Sequence, residues 1–423
     1  MRFSVSRETL LDQCATPASA DDKVYQVPCS QRACSLFTLV SLFLIWLMAF
    51  QVWRLFGTQK SAVLSTMGSA VTKQFSPLTP SVHHNQFLPS GKLIVAAASA
   101  SLFVLYRRFS TSHKSLEAKR CDVVLVTGCD SGIGYSAAKH CHNLGFSVVA
   151  SVIDLQSAGA MSLRKLDNKC MSVIKLDLKN SSDISSCVEH VRSLIAENSD
   201  YRLHAIVNNA GIMIFGELEW QVEDMIRNQI EVNLLAPIYL TKSFMPLLRK
   251  HKGRVINVSS HCALEALPGL SSYCASKAGL QAFNNSLRVE CAKFGVGVIS
   301  LVPGSFFDQT KILSKQPEHA SRMHEGMSAE CKDFYGEYFH VYHSYLAAVS
   351  NLQRNETVKE VDDANLYRNF TDALTSINPK ALYKNSPWYY EAHHLLFKVL
   401  PTSWRDQLVV RFMRMPKFQV SAS

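Results

Sequence analysis

At 423 residues the chain can hold one α/β domain of about 250 residues plus extensions, and its apolar fraction of 47% against 18% charged residues exceeds what a soluble domain needs. A formal charge of +10 would suit nucleic acid, but the basic residues form no stripe with interleaved aromatics. Nucleic acid is therefore excluded as the expected partner, and attraction to an anionic membrane surface accounts for the charge.

Residues 1–32 form a tail whose Glu8, Asp12, Asp21 and Asp22 fit a mitochondrial transit peptide poorly. Ala33 to Trp53 are 21 residues without a charge between Arg32 and Arg54, a length that crosses a bilayer as a helix. Nothing amphipathic interrupts the run and no small-residue cleavage site follows, so a transmembrane span is expected over 33–53. Leu93 to Tyr106 has 14 uncharged residues, short for a span, and reads as a second span or an interfacial helix. With the linker 57–91 these segments make residues 33–110 a membrane anchor region. Arg107, Arg108, Lys114, Lys119 and Arg120 then stand against Glu117 alone, which places the following domain in the cytoplasm.

From residue 121 the pattern changes. Short β-branched runs at 122–127, 147–152, 171–176, 203–208, 254–259 and 296–302 alternate with helix-length segments. That order predicts a doubly wound parallel sheet with helices on both faces, a Rossmann-like α/β fold. Twelve cysteines lie scattered without a C-x-x-C pair, which fits reduced thiols, and no histidine or cysteine spacing predicts a metal site. The first strand ends in TGCDSGIG, where Gly128, Gly132 and Gly134 precede a helix. Side chains absent there let a backbone approach a pyrophosphate, and the helix N-terminus offers free N–H groups.

Further motifs follow in order: Asp177 after the third strand, Asn208-Asn209-Ala210-Gly211 after the fourth, Asn233 on the next helix, Ser260 after the fifth, and Tyr273-x-x-x-Lys277. With the glycine turn they resemble the short-chain dehydrogenase/reductase family over residues 119–310. Ser259 and Ser260 both qualify as the family's serine, and the thirteen-residue spacing to Tyr273 favours Ser260. The resemblance implies hydride transfer with a nicotinamide dinucleotide. Tyr273 then moves the alcohol proton, Lys277 favours the phenolate and bonds the ribose, Ser260 holds the substrate oxygen, and Asn233 positions a water. It also implies that Thr127, Gly128, Ser131, Gly132, Ile133, Gly134, Asp177, Asn208, Ala210, Gly211, Tyr273, Lys277, Pro303 and Gly304 border the cofactor, Asp177 at the adenine.

After the second strand no basic residue precedes Arg164, so Asp154 is expected to meet the ribose hydroxyls and favour NAD over NADP. Local wording such as TGCDSGIG and YCASKAGLQAF resembles the branch of membrane-associated retinol and hydroxysteroid dehydrogenases and D-3-hydroxybutyrate dehydrogenase. Val302-Pro303-Gly304-Ser305-Phe306 departs from that branch, which often reads Glu-Pro-Gly-Asn-Phe.

Residues 305–350, rich in aromatics and Met, are expected to form a substrate lid that completes a catalytic domain over 119–350. Residues 351–423 form an extension with a last strand near Lys380–Lys384 and a Trp/Tyr/Phe and Lys/Arg mixture over 387–418 suited to a membrane interface. The leading expectation is an NAD-dependent oxidoreductase for a lipophilic secondary alcohol or ketone, steroid- or retinoid-like. The alternatives are D-3-hydroxybutyrate and a catalytically silent membrane NAD-binding scaffold. Family resemblance implies a homo-oligomer, and the endoplasmic reticulum or a mitochondrial membrane as its place. Glycosylation-type triplets at Asn355 and Asn369 are expected in an accessible region and, on the cytoplasmic side, bare.

Overall fold

Strand β1 (Asp122–Val126) is buried throughout, Val123 and Leu125 joining one apolar layer and Val124 and Val126 the other. This period of two, with both faces covered, is why the strands read as unbroken β-branched runs. The structure is a computed structural model describing residues 115–413, apart from 167–168, 308 and 351–357, together with 415, 416 and 418. The segments 33–53 and 93–106, the linker between them and Asn355 lie outside the described residues. Among the described residues no helix is long and apolar enough to cross a membrane.

After β1 come α1 (Gly132–Leu144), β2 (Ser147–Val152), α2 (Ala158–Arg164), β3 (Met171–Lys175), α3 (Ser181–Ala196) and β4 (Arg202–Asn208). Then follow α4 (Glu223–Ile230), a π-helical turn (Glu231–Leu235), α5 (Ala236–His251), β5 (Arg254–Val258), α6 (Ser271–Ala292) and β6 (Gly297–Val302). The chain closes with α7 (Gln316–Gly326), α8 (Ala329–Ser350), α9 (Ala364–Thr375), β7 (Leu382–Lys384), α10 (Trp388–Val399) and α11 (Thr402–Met413). Local signals set several boundaries. The Ser157 and Asn180 side chains accept from Ala160 N and Ser182 N to start α2 and α3, and Gly145, at φ 104°, ends α1 in the left-handed region.

All seven strands are parallel, in the order β3-β2-β1-β4-β5-β6-β7. The order reverses between β1 and β4, so a crevice opens at their carboxyl ends. On one face Phe146, Leu163, Leu366 and Phe370 cover the sheet, and on the other Val188, Leu240, Phe244 and Leu287 do so. Fully burying one such side chain stabilises by roughly 1.5–3 kcal/mol, which gives the sheet the rigidity a site at its edge requires.

Residues after 350 are more than an extension. Val361, Leu366, Phe370, Leu374 and Tyr383 belong to the sheet's own core, and β7 pairs with β6 through Ser300–Leu382, Leu301–Tyr383 and Val302–Lys384. Asn369 sits on α9, half-buried, and its Nδ2 donates to the Lys384 carbonyl at 3.3 Å, so this triplet is not the accessible acceptor its sequence implied. A third apolar cluster joins α7 and α8 to the segment after β4, with Trp220, Phe339 and Tyr342 at its centre. It holds α7 and α8 against that segment.

Candidate active site

The glycine turn joins β1 to α1, with Gly128 and Gly132 at φ 71° and 57°. A Cβ on Gly128 would stand 2.8 Å from Ala210 Cα, and one on Gly134 would overlap the Gly128 carbonyl oxygen and the Asn209 amide. The turn is stitched to the loop after β4. Thr127 Oγ1 accepts from Asn209 N at 3.0 Å and Ala210 N at 3.1 Å, while Asn209 Nδ2 donates to the Thr127 carbonyl at 2.9 Å. Thr127 and Asn208 thus build the crevice without bordering it, Asn208 donating to Asn257 Oδ1 at 2.6 Å in the interior.

A cleft of about 480 Å³ opens there. Gly128, Ser131, Gly132, Ile133, Gly134, Asp177, Ala210, Gly211, Tyr273, Lys277 and Pro303 all line it. Asp154 does not: it is exposed, its Oδ1 accepting from Gln156 N at 2.8 Å. The carboxylate at the end of β2 is Asp130, inside the glycine turn, whose oxygens accept from Ile153 N at 3.1 Å and Asp154 N at 3.0 Å. The sequence reading chose the acid on the strand end, whereas the turn folds its own acid back over that end.

A smaller cavity of about 80 Å³ adjoins the cleft, lined by Ser260, His261, Cys262, Gly304, Met213, Phe306, Phe307 and Tyr390. Tyr273, Ser259 and Pro303 border both. Tyr273 is 5% exposed and in hydrogen-bond contact with the Ser260 hydroxyl, and Ser260 Oγ also accepts from Cys262 N at 3.1 Å. Burial pushes the Tyr273 phenol well above its ordinary value, with Cys262 and Cys274 adding to the rise and Ser260 opposing it. Burial is thus the largest influence on the Tyr273 phenol in this state. Ser259 Oγ is buried and without a hydrogen-bond partner at the junction of the two cavities, a group that a ligand or water must satisfy.

Lys277, one turn along α6 from Tyr273, donates from Nζ to the Val258 carbonyl at 3.0 Å. Burial lowers its ammonium from 10.5 to about 8. That depression corresponds to roughly 3 kcal/mol against the charged form. The folded chain binds fewer protons than the unfolded chain between those values, so stability rises with pH across that window. Lys277→Met is therefore expected to stabilise the unliganded chain below about pH 8 by about 2 kcal/mol after the lost hydrogen bond. Thermal melts of both chains at pH 7 should differ by roughly 3–6 °C in favour of the variant, and the gap should close toward pH 10. A lower midpoint for the variant at pH 7 would contradict the buried-charge account.

Asn233 lies in the π-helical turn, fully buried. Its Oδ1 accepts from Ile212 N at 2.9 Å, and its Nδ2 donates to the Ile212 carbonyl at 2.8 Å and to Ser276 Oγ at 3.1 Å. The side chain is committed to bracing the loop after β4 against α6, so the water-holding role expected of it does not fall to its amide. The π turn itself is a feature often found at functional sites.

Residues following β6 border the cleft from the far side. Thr310 rests on the glycine turn, its Cγ2 3.1 Å from where a Gly132 Cβ would be, and Lys311, Lys315, His319 and Arg322 follow. Arg322 pairs with Asp224 at 2.5 Å, and Lys179 enters from the loop after β3. Among the described residues no His/Cys/Asp/Glu group could hold a metal, and nine cysteines are free thiols.

Comparison with known proteins agrees with this geometry. Residues 122–320 match a family model described as short chain dehydrogenase. D-beta-hydroxybutyrate dehydrogenase, mitochondrial, of Rattus norvegicus is 34% identical over 311 residues, covering 72% of this chain and 88% of that protein. Estradiol 17-beta-dehydrogenase 2 of Rattus norvegicus is 35% identical over 289 residues, covering 66% and 72%. Retinol dehydrogenase 7 of Mus musculus is 32% identical over 303 residues, covering 71% and 92%. Among solved structures, a short-chain dehydrogenase from Streptomyces avermitilis superposes with a TM-score of 0.50 at 22% identity, covering 69% of this chain and 96% of that one, and shares the fold.

Proposed function

From the premise that the chain belongs to the short-chain dehydrogenase family and is an oxidoreductase acting on CH–OH groups, we propose that it interconverts a secondary alcohol and a ketone with Tyr273 as acid and base. The observation that carries this reading is the place of Tyr273: it is the wall between the glycine-turn cleft and the apolar cavity, bonded to Ser260 on one side and followed by Lys277 on the other. The residues present fit a dinucleotide, because the cleft follows a turn with no room for a Cβ at Gly128 or Gly134 and ends at the unpartnered Ser259 hydroxyl. A nicotinamide dinucleotide, when bound, supplies or accepts the hydride.

The chain's own residues do the rest. Ser260 Oγ, already an acceptor from Cys262 N, keeps its hydrogen for the substrate oxygen or Tyr273. In reduction, the protonated Tyr273 gives its proton to the developing alkoxide; in oxidation it takes the alcohol proton back. Lys277, anchored by Val258, keeps two further N–H donors for hydroxyls in the cleft and places a positive charge there that favours a phenolate once the proton leaves. Asn233 holds Ile212 and Ser276 in register, so its role is to position the loop after β4 and, one residue beyond Ser276, Lys277. Asp130, a carboxylate lining the cleft at the end of β2, would repel a ribose 2′-phosphate bound there, which supports NAD.

The apolar lining of the smaller cavity suits a lipophilic alcohol, and relatives named for estradiol and retinol accord with it. One observation favours a second reading, D-3-hydroxybutyrate: the cavity holds only about 80 Å³, and Lys311 and Lys315 line the adjoining cleft where a carboxylate could pair. The test is NADH formation by full-length protein in detergent with steroid alcohols, retinol and D-3-hydroxybutyrate, each repeated with NADP. Turnover on one class, with NAD at least tenfold better in kcat/KM, is expected. Dependence on NADP would remove Asp130 from the argument, and failure of every substrate would return the scaffold reading.

We further assign residues 119–350 to the catalytic domain, with α9 and β7 completing its sheet, and residues 33–110 to a membrane anchor that leaves the domain in the cytoplasm, at the endoplasmic reticulum or a mitochondrial membrane. Exposed Val289 on α6 and Tyr239 on α5 accord with a homo-oligomer through these helices.

A further inference from the structure

We propose that His394, on helix α10, is a positioning residue for the substrate cavity: with Glu265 it locks His261, the residue after Ser260, and so keeps Tyr390 of α10 in place as the cavity's outer wall. The four groups form a line from the fold's edge to the site. His394 Nδ1 lies 3.3 Å from Glu265 Oε2, and His394 Nε2 lies 3.1 Å from His261 Nδ1. The His261 and His394 rings stack at 5.3 Å with 11° between their planes, and the His261 and Tyr390 rings lie 5.2 Å apart. Both imidazoles are buried, and His261 and Tyr390 line the cavity beside Ser260.

Counting protons fixes the direction of each bond. Burial and the neighbouring His394 hold His261 at about 4, so it is neutral with one N–H, and its hydrogen bond with the Asn385 backbone requires that N–H, because a carbonyl only accepts. His261 Nδ1 is then an acceptor, and the proton between the rings belongs to His394 Nε2. Glu265 Oε2 faces the other ring nitrogen at 3.3 Å, so His394 joins His261 to the Glu265 carboxylate through its two ring nitrogens. Around it, Glu391 of α10 pairs with Lys384 of β7 at 2.8 Å, and Cys262 stands beside Glu265. This lock ties a helix outside the dehydrogenase motifs to the residue that follows Ser260. Its kinetic consequences rest on the hydride-transfer reading above.

His394→Phe keeps a ring for stacking and removes both ring nitrogens, whereas Glu265→Gln keeps an acceptor and removes the carboxylate. In full-length protein, His394→Phe should raise the substrate KM about tenfold, the equivalent of one charge-assisted hydrogen bond, with kcat and the NAD KM within twofold. Glu265→Gln should raise it about threefold, and the double variant should match His394→Phe alone, because both changes break one unit. Hydrogen–deuterium exchange over 388–399 should quicken in both single variants while 271–292 stays protected. Should His394→Phe fail to fold, Glu265→Gln carries the same readouts. An unchanged substrate KM, kcat and NAD KM moving in step with it, or multiplying losses in the double variant would overturn the lock. If the wild-type chain turns over nothing, the reaction is what has failed, and unchanged exchange over 388–399 would then overturn the lock by itself.

Discussion

Tyr273→Phe is expected to lower kcat by about 10³-fold, within the range that positioned proton transfer contributes. The substitution removes one oxygen from a ring that is 5% exposed and fixed on α6, so packing is retained. What is lost is the group that bonds Ser260 and faces both cavities. Because the phenol of the unliganded chain is held protonated by burial, the variant should bind NADH as wild type does, and stopped-flow hydride transfer should slow by the same factor as kcat. Ser260→Ala should cost less, since Tyr273 remains in place to bond the substrate oxygen. A Phe variant that turns over within tenfold of wild type would mean that the proton travels by another route, and Ser259, the unpartnered hydroxyl at the same junction, would be the first residue to test.

The sheet was legible because its strands are buried on both faces, which forces β-branched runs with nothing else to explain them. The glycine turn beside the cleft was legible for a related reason: glycines at Gly128 and Gly134 answer a demand for space that no other residue meets. Residues whose role depends on register were not. Asp130 and Asp154 lie close together at the end of β2, and only the fold shows that Asp130 turns back onto the Ile153 and Asp154 amides while Asp154 faces solvent. Asn233 was read as a water-positioning residue, whereas its amide braces Ile212 and Ser276 from a π turn, a backbone feature without a sequence signature. The region after 350 reads as an extension until Leu366, Phe370 and Leu374 are placed on one face of α9, against the sheet. The His261–His394–Glu265 line joins residues more than a hundred positions apart, a pairing no local pattern announces.

Gly134→Ala is the change expected to cost most in cofactor binding. Its Cβ would enter the space of the Gly128 carbonyl and of Asn209 Nδ2, the amide that donates to the Thr127 and Gly128 carbonyls at 2.9 and 3.3 Å. Relief requires α1 to move off the sheet, and α1 carries the fully buried Ala137, Ala138 and Cys141. Overpacking of this kind costs about 1–3 kcal/mol, and a stranded buried amide adds a comparable amount. The helix N-terminus and the turn move together, so the seat for a pyrophosphate is lost along with the stability. NADH fluorescence titration should show affinity reduced at least a hundredfold, in a chain whose melting point falls by several degrees. Gly336→Ala is the control. Gly336 also has a positive φ, 46°, but nothing lies within 4 Å of its added Cβ, and it sits at the kink of α8. That substitution strains the backbone by about 1–3 kcal/mol and should leave NADH affinity unchanged. If both variants lose affinity alike, general destabilisation explains the effect and the turn is not the phosphate seat; if only Gly134→Ala does, the close approach of backbone to backbone at this turn is what the cofactor uses.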